Sequence, residues 1–295
     1  MSLLFLKPKL GNAIFLLFGA WCFGFSFAPI ANAQAIERAD YKCATQTFGD
    51  AEFDYCVYPT TDSQNHDLIV HLHGLGGSAR TWYDHERHIN TRREMALLGK
   101  SVPTVVTISF GNLWLLTEVQ ERGDKYHLVR DKILPFLKEQ AGYNGAGRMI
   151  LMGESMGGFN ALQFYLKDPQ LFSRYVIMCP AVGELNPWSS SDDVDAFIER
   201  TKASRFRVSF YLEVARHNFK DMAEWQAHDP LQLVKTQVLN MAPIYISGDE
   251  HDQYGFYAGD KILDSLLGSK PREHQWRSVN GRHCEVDSKS IAQFL

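Results

Sequence analysis

The stretch Met149-Ile150-Leu151-Met152-Gly153-Glu154-Ser155-Met156-Gly157-Gly158 decides the fold. Its first four residues are apolar without polar alternation, which is typical of a strand covered on both faces. The following residues match Gly-x-Ser-x-Gly and lead directly into a predicted helix. In that pattern the serine lies on a strained turn, where small flanking residues avoid clashes between strand and helix. The stretch therefore predicts a serine presented at the carboxyl end of a buried strand.

Apolar runs alternate with helical patterns on both sides of this stretch. Eight strands are predicted, at Cys43–Phe48, Phe53–Tyr58, Asp67–His71, Thr104–Phe110, Met149–Gly153, Tyr175–Cys179, Ala242–Ser247 and Gln275–Val279. Helices are predicted at Tyr126–Gln140, Met156–Leu166, Asp193–Lys202, Ala258–Leu267 and Lys289–Leu295. This order predicts an α/β fold with a mostly parallel sheet and flanking helices. Residues 184–235 are rich in aromatic side chains and interrupt the alternation, which indicates a helical cap insertion.

The composition excludes several classes of protein. The 295 residues are 45% hydrophobic and 22% charged, as expected of a globular chain and not of a disordered or fibrous one. The formal net charge of -4 leaves no excess of Lys and Arg to neutralise phosphates, so no nucleic-acid partner is expected. Because no Pro/Gly/Ser-rich linker divides the chain, residues 34–295 are predicted to form a single domain.

Residues 1–33 are predicted to be a secretory signal peptide. Lys7 and Lys9 precede an uncharged run with its apolar centre at Ile14–Ala28, and Ala31-Asn32-Ala33 has the small residues of a cleavage site. An uncleaved membrane anchor is the alternative, because the run approaches spanning length. With the signal removed, no membrane span is expected, and the protein is predicted to be periplasmic or secreted.

Four cysteines follow the predicted signal, at Cys43, Cys56, Cys179 and Cys284. Cys43 and Cys56 flank a strand-like stretch with a Gly49-Asp50 turn, so a hairpin would bring them within bridging range. A disulfide is predicted between them, with two reduced, buried cysteines as the alternative. A bridge between Cys179 and Cys284 stays open here, because sequence does not establish connectivity.

Ser155 needs two partners to become a nucleophile near neutral pH, namely a base and a carboxylate that orients the base. The predicted base is His283, in the loop after the last predicted strand, where it would return over the serine. The acid is expected in the loop after the preceding strand, which contains three carboxylates. Asp252 is the preferred acid because of its longer reach, Asp249 is the alternative, and Glu250 ranks third.

Acyl transfer to Ser155 would also create an oxyanion that needs two preorganised N–H donors. Met156 follows the serine at the start of a helix and is predicted to supply the first. The second is expected in the glycine-rich stretch after the strand that ends at His71. There the N–H of Leu75 is preferred and that of Gly74 is the alternative.

Two further groups of residues have alternative interpretations. Trp114 and Leu115 follow the strand at Thr104–Phe110, at the end where ligands bind in open α/β sheets, and either line an acyl pocket or pack in the core. The other group contains paired histidines, which lack an established zinc-binding pattern and are interpreted as solvated or core residues: His71, His73, His85 and His88. No metal or cofactor is therefore expected.

These motifs resemble those of the α/β-hydrolase fold and, within it, the putative esterase family. The resemblance covers about Asp67 to Leu295 and depends on His73-Gly74-Leu75-Gly76-Gly77, Gly153–Gly158, Trp225–Pro230, Gly248–Asp252 and Gly281-Arg282-His283. That family is similar to esterase D, S-formylglutathione hydrolases, feruloyl and acetylxylan esterases, and mycolyltransferases. The export signal departs from the cytosolic S-formylglutathione branch.

The resemblance implies roles for five residues. Ser155 would be the nucleophile, His283 the base and Asp252 the orienting acid, with oxyanion donors at Leu75 and Met156. The expected protein is an exported serine esterase that needs no cofactor and hydrolyses a small-molecule or polysaccharide-linked carboxylic ester through an acyl-enzyme. An acyltransferase that uses the same triad and a non-catalytic binding protein on the same fold are the alternatives.

Overall fold

The computed structural model describes residues 41–118, 123–237 and 241–295. The predicted signal peptide, residues 1–33, lies outside the described residues. Within the described ranges, no helix is both long enough and apolar enough to span a membrane.

A mostly parallel sheet forms the centre of the protein. Its strands are β1 (Lys42–Phe48), β2 (Ala51–Tyr58), β3 (Leu68–Leu72), β4 (Thr104–Ser109), β5 (Met149–Glu154), β6 (Arg174–Met178), β7 (Ile244–Asp249) and β8 (His274–Val279). They lie in the order β1-β2-β4-β3-β5-β6-β7-β8. β2 pairs antiparallel with β1 and β4, and the remaining neighbours are parallel. All eight predicted strands and the predicted fold class are confirmed.

Helices connect the strands. They are α1 (Thr81–Asp84), α2 (Glu86–Leu97), α3 (Lys125–Leu128), α4 (Leu134–Gln140), α5 (Met156–Lys167), α6 (Ser191–Thr201), α7 (Arg205–Asn218), α8 (Met222–Gln226), α9 (Pro230–Leu233), α10 (Phe256–Leu267) and α11 (Ser288–Phe294). A π-helical turn at Val129–Ile133 joins α3 to α4, so the predicted helix at Tyr126–Gln140 is one continuous helical stretch. The other four predicted helices are confirmed as α5, α6, α10 and α11. Residues 184–235 contain α6 to α9.

Sequence reasoning missed helix α2 because its buried face is polar. The side chains that this helix buries are those of His88, Thr91, Arg92 and Met95, of which only the last is apolar. Its sequence therefore lacks the apolar repeat at helical spacing by which such helices are recognised.

Two hydrophobic cores lie on the two faces of the sheet. One includes Leu134, Leu162 and Leu263, from α4, α5 and α10. The other includes Met95 from α2 and Ile291 from α11. Every residue of β3 is buried, including His71, as expected of a central strand covered on both faces.

The order of the strands defines where a ligand would bind. The connection from β3 leads to β4 on one side, whereas β5 lies on the other side of β3. At such a switch point the carboxyl ends of the two strands border a crevice. The glycine-rich loop after β3 and Ser155 after β5 both lie at this crevice.

Glycines let α5 approach these strands closely. A Cβ atom at Gly157 would overlap the carbonyl oxygen of Leu72 at the end of β3, and one at Gly153 would overlap the carbonyl oxygen of Gly157. The Gly-x-Ser-x-Gly pattern is therefore required by main-chain packing at both glycines.

Two disulfides are present in the described part of the chain. The predicted bridge between Cys43 and Cys56 joins directly paired residues of β1 and β2, with a Cα–Cα distance of 4.0 Å. The bridge that sequence left open, between Cys179 and Cys284, is also formed and joins the end of β6 to the loop after β8. Structural disulfides are typical of proteins that work in oxidising compartments.

Replacing Gly157 with alanine should lower the free energy of unfolding by at least about 3 kcal/mol, because the new Cβ atom would push α5 away from β3. Gly99→Ala is the control, since Gly99 has a φ of 69° but open space around its Cα atom. That variant should cost only about 1 kcal/mol, the cost of a left-handed conformation. Urea unfolding of both variants measures the difference, and equal losses would contradict the packing argument.

Candidate active site

Ser155 lies on a strained turn between β5 and α5. Its φ of 52° and ψ of -116° are unusual for a residue with a side chain. The Ser155 N–H donates to the carbonyl oxygen of Met178, and the Ser155 carbonyl accepts from the N–H groups of Phe159 and Ala181. These bonds hold the turn and leave the hydroxyl partly exposed in the crevice.

The structure brings His283 and Asp252 together with Ser155. The Ser155 Oγ and the His283 Nε2 are 2.8 Å apart. On the other side of the ring, the His283 Nδ1 lies 2.5 Å from the Asp252 Oδ2. The Asp252 side chain is only 1% exposed, and its Oδ1 also accepts from the N–H of Tyr254 at 2.6 Å. A hydroxyl, an imidazole and a buried carboxylate thus form one hydrogen-bonded chain.

The other two candidate carboxylates have different partners. Asp249 is the last residue of β7, and its Oδ2 accepts from the N–H of Cys284 at 2.7 Å. Glu250 accepts from the hydroxyl of Ser278 at 2.6 Å. Of the three, Asp252 is the residue whose carboxylate is hydrogen-bonded to His283.

Burial raises the pKa of Asp249 to about 8, and the nearby charge of Asp252 adds to this effect. The N–H of Cys284 opposes the rise but does not cancel it. Asp260, in α10, is also fully buried, and burial raises its pKa well above the usual range. Near neutral pH both side chains are therefore mainly protonated, which avoids placing further negative charges beside Asp252.

The Cys179–Cys284 disulfide is next to His283 in both sequence and space. Cys284 follows His283, and its Sγ lies 3.6 Å from the His283 Nε2. On the other side of the bridge, the N–H of Cys179 donates to the carbonyl oxygen of Ser247 in β7. The bridge therefore ties the loop that holds the imidazole to the sheet.

The predicted oxyanion donors lie beside Ser155. Met156 is the first residue of α5, so its N–H has no partner within the helix. The loop after β3 passes over the serine, since a Cβ atom at Gly74 would be 3.3 Å from the Ser155 Cβ. Leu75, Ser155 and Met156 line one cavity. The donor roles of Leu75 and Met156, and of the alternative Gly74, remain predictions.

His73 holds this loop in place, a function that sequence reasoning missed. Its Nδ1 lies 2.7 Å from the carbonyl oxygen of Gly74, to which it donates as the Nδ1–H tautomer. The Nε2 then accepts from the hydroxyl of Ser109 at 2.8 Å and from the indole N–H of Trp114 at 3.2 Å. Burial lowers the pKa of His73, which favours this neutral form. Its position directly before the glycines was the available signal.

An apolar cavity opens beside Ser155. Of the two residues with alternative interpretations, Leu115 lines this cavity and Trp114 does not. Trp114 is 3% exposed and packs in the core, because its indole points toward His73. Most of the remaining wall comes from residues 184–235 and from α5 and α10, including Phe159, Phe210, Tyr211, Val214, Ala215, Phe219, Trp225 and Phe256.

A buried cluster of His71, His88 and Glu154 lies behind the serine, with potential metal-ligand atoms within 4.8 Å of one another. The Glu154 Oε2 accepts from the Arg87 guanidinium at 2.8 Å and lies 3.4 Å from the His88 Nε2. Burial alone would raise the pKa of Glu154, but His88 and Arg87 hold it well below its usual range. An ion pair therefore already neutralises this carboxylate. Three of the four histidines interpreted as solvated or core residues are buried, at 71, 73 and 88.

Comparisons with known proteins place the chain among esterases. The model of the putative esterase family matches residues 55–294. The S-formylglutathione hydrolase of Agrobacterium tumefaciens has a similar structure, with a TM-score of 0.60, 16% identity and coverage of 85% of this chain and 91% of that one. An esterase of Pyrococcus furiosus has a TM-score of 0.55 and 14% identity, with coverage of 95% and 96%. At these low identities, the structural similarity shows that this chain has the α/β-hydrolase fold.

A curated relative has a more limited match. The 2-hydroxy-6-oxononadienedioate/2-hydroxy-6-oxononatrienedioate hydrolase of Cupriavidus pinatubonensis (strain JMP 134 / LMG 1197) is 27% identical over 154 residues, which are 52% of this chain and 49% of the relative. The chain thus spans about half the length of that relative.

Removing the Cys179–Cys284 bridge by a double substitution to alanine should slow covalent labelling of Ser155 by a fluorophosphonate about tenfold to a hundredfold, because the imidazole loop would lose its anchor. The matched control is Cys43→Ala with Cys56→Ala, which removes the hairpin disulfide. The labelling rate, followed by mass spectrometry of the intact protein, should stay near that of the unaltered protein in the control. Equal labelling rates in both variants would contradict a positioning role for the bridge.

Stability should depend on pH through Asp249. The folded protein keeps the Asp249 proton up to about pH 8, whereas an unfolded chain loses it near about pH 4. Between these values the folded state binds more protons than the unfolded state. The contribution of Asp249 to the free energy of unfolding is therefore fully present below about pH 4 and is lost as the pH rises toward about 8. Asp249→Asn should therefore lose less stability than the unaltered protein over this range.

Melting temperatures between pH 5 and 8 measure this difference. Asp50→Asn is the control, because Asp50 is exposed in the β1–β2 turn. Parallel pH profiles for Asp249→Asn and the unaltered protein would show that Asp249 is not protonated in the folded state.

Proposed function

This chain belongs to the putative esterase family, and we propose that it is an exported serine esterase that hydrolyses carboxylic esters through an acyl-enzyme on Ser155. The observation that carries the proposal is the chain of hydrogen bonds from Ser155 through His283 to Asp252, at 2.8 Å and 2.5 Å. Family membership supports ester hydrolysis, and this geometry supports the mechanism.

The first half of the reaction transfers the acyl group. The His283 Nε2 takes the proton of the Ser155 hydroxyl as the Oγ attacks the ester carbonyl carbon. The carbonyl π-electrons move to oxygen, and the N–H groups of Leu75 and Met156 stabilise the oxyanion. When the intermediate collapses, the bond to the alcohol oxygen breaks and His283 donates its proton to the leaving alcohol.

The second half regenerates the enzyme. A water molecule gives a proton to the His283 Nε2 and attacks the acyl carbon, and collapse of this second intermediate releases the acid and restores the Ser155 hydroxyl. During both halves Asp252 accepts from the His283 Nδ1–H, which fixes the tautomer and stabilises the imidazolium. These steps use no cofactor.

The apolar cavity supports an acyl-binding role. Its wall is formed largely by residues 184–235, which we propose to be a cap over the acyl group, together with Leu115. An apolar acyl chain bound there would be transferred out of water and would pack against these side chains.

Two observations support export. Residues 1–33 have the charge and hydrophobicity pattern of a signal peptide. Two disulfides in the described residues are typical of an oxidising compartment. We propose that the mature protein acts in a periplasm or outside the cell.

A fluorophosphonate label and a burst assay test this proposal together. The label should map to the Gly153–Gly158 peptide, and a chromogenic 4-nitrophenyl ester should show a burst of alcohol release. Ser155→Ala should abolish both, and Asp252→Asn should lower kcat at least about a thousandfold. Asp249→Asn is the matched control and should stay within about tenfold of the unaltered protein, because its carboxyl group does not touch His283.

Other outcomes identify the alternatives. Turnover that requires an added acceptor alcohol would indicate an acyltransferase. No burst and no label with esters of several acyl lengths would indicate a binding protein and contradict the proposal, as would a label on any other serine.

A further inference from the structure

Two cavities of different character meet at Ser155. The first is the apolar cavity already described. The second is an open cleft that shares Leu75, Ser155 and Tyr254 with the first. Its lining includes the charged or polar side chains of Asp84, His85, Arg87 and Arg207. His283 lines the cleft but not the apolar cavity.

The position of His283 assigns the two halves of an ester to the two cavities. In the proposed mechanism His283 gives its proton to the leaving alcohol, so the alcohol lies on the same side of Ser155 as the imidazole. That side is the charged cleft. The acyl group is then directed into the apolar cavity, where it has few polar partners.

The charged side chains of the cleft differ in whether they have an ion-pair partner. Arg87 is paired with the buried carboxylate of Glu154 at 2.8 Å. Asp84 is paired with Arg80 at 3.3 Å. Arg207 donates to the hydroxyl of Tyr254 at 2.7 Å, and no carboxylate among the described residues lies within ion-pair distance of it. The cleft therefore has one uncompensated positive charge, at Arg207.

Arg207 is connected to His283 through the ring of Tyr254. Its guanidinium lies 5.1 Å above the ring of Tyr254. That ring in turn is 4.8 Å from the ring of His283, between centroids. Because the Tyr254 hydroxyl occupies only one of the five N–H donors of Arg207, the others are available for an anionic oxygen.

We propose that the preferred substrates join an apolar acyl group to an alcohol that carries an anionic group, which Arg207 binds. This inference rests on the proposed function, since it needs Ser155 and His283 in their catalytic roles. A carboxylate or a phosphate on the alcohol would satisfy the same guanidinium. The apolar cavity favours acyl groups longer than acetyl.

Four chromogenic esters test the inference. They combine acetyl or hexanoyl groups with 4-nitrophenol or with 3-carboxy-4-nitrophenol, so that the alcohols differ mainly in a carboxylate. Hexanoyl esters should have a kcat/KM about tenfold or more above that of acetyl esters, because four more methylene groups are buried. The carboxylated alcohol should be favoured about threefold to tenfold over the neutral one at low salt, and this preference should shrink as salt is added.

Variants of Arg207 then identify the group responsible. Arg207→Gln should remove the preference for the carboxylated alcohol, and Arg207→Glu should reverse it, as measured by the ratio of kcat/KM for the two hexanoyl esters. The ratio is an internal control for folding, because a misfolded fraction lowers both rates equally. Arg205→Gln is the matched control, since Arg205 lies on the same helix, is paired with Asp195 at 2.6 Å and does not line the cleft. It should leave the ratio unchanged.

The outcomes separate this inference from the function on which it rests. Turnover with the same alcohol ratio in Arg207→Gln, Arg207→Glu and the unaltered protein would overturn the role of Arg207 and leave the esterase function intact. Acetyl esters turned over as fast as hexanoyl esters would overturn the acyl assignment. Failure to hydrolyse any of the four esters, together with no labelling of Ser155, would overturn the function itself.

Discussion

Helix α5 lies so close to β3 and β5 that any side chain at Gly157 would overlap the main chain of Leu72. Because the helix lies so close to the strands, the turn between β5 and α5 is tight. Ser155, the residue in that turn, adopts a positive φ. The same turn lifts the hydroxyl into the crevice and aims the start of α5 at it. The positions of the proposed nucleophile, Ser155, and of one proposed oxyanion donor, Met156, therefore follow from a single packing constraint.

The parallel sheet places the loops that hold Asp252 and His283 at the same edge as Ser155. Glu154 pairs with Met178, Met178 with Ser247, and Ser247 with Arg277, so the carboxyl ends of β5 to β8 are in register. Loops that leave these ends need only a few residues to reach Ser155. Asp252 and His283 are three and four residues beyond the ends of β7 and β8. The convergence of distant parts of the chain is thus a property of the sheet.

The sequence predicted all the strands of the described residues, because apolar runs are short-range patterns. It also proposed Ser155, His283 and, as the preferred of three carboxylates, Asp252, which the structure brings together. Helix α2 was missed, since its inward side chains include His88 and Arg92. The Cys179–Cys284 pairing depends on where two loops meet, and no local pattern encodes that meeting. Trp114 lies in the core, whereas its neighbour Leu115 packs against the core and also lines the cavity. Hydrophobicity alone does not distinguish these two positions.

The bridge beside His283 connects residues 105 positions apart in the chain. Its two cysteines meet where the end of β6 comes close to the loop after β8, and the bond between them forms only where an oxidant is present. In a reducing compartment the same chain would keep Ser155 and His283 but lack the disulfide that ties the loop of His283 to β6. The arrangement proposed for catalysis would then be complete only in an oxidising compartment.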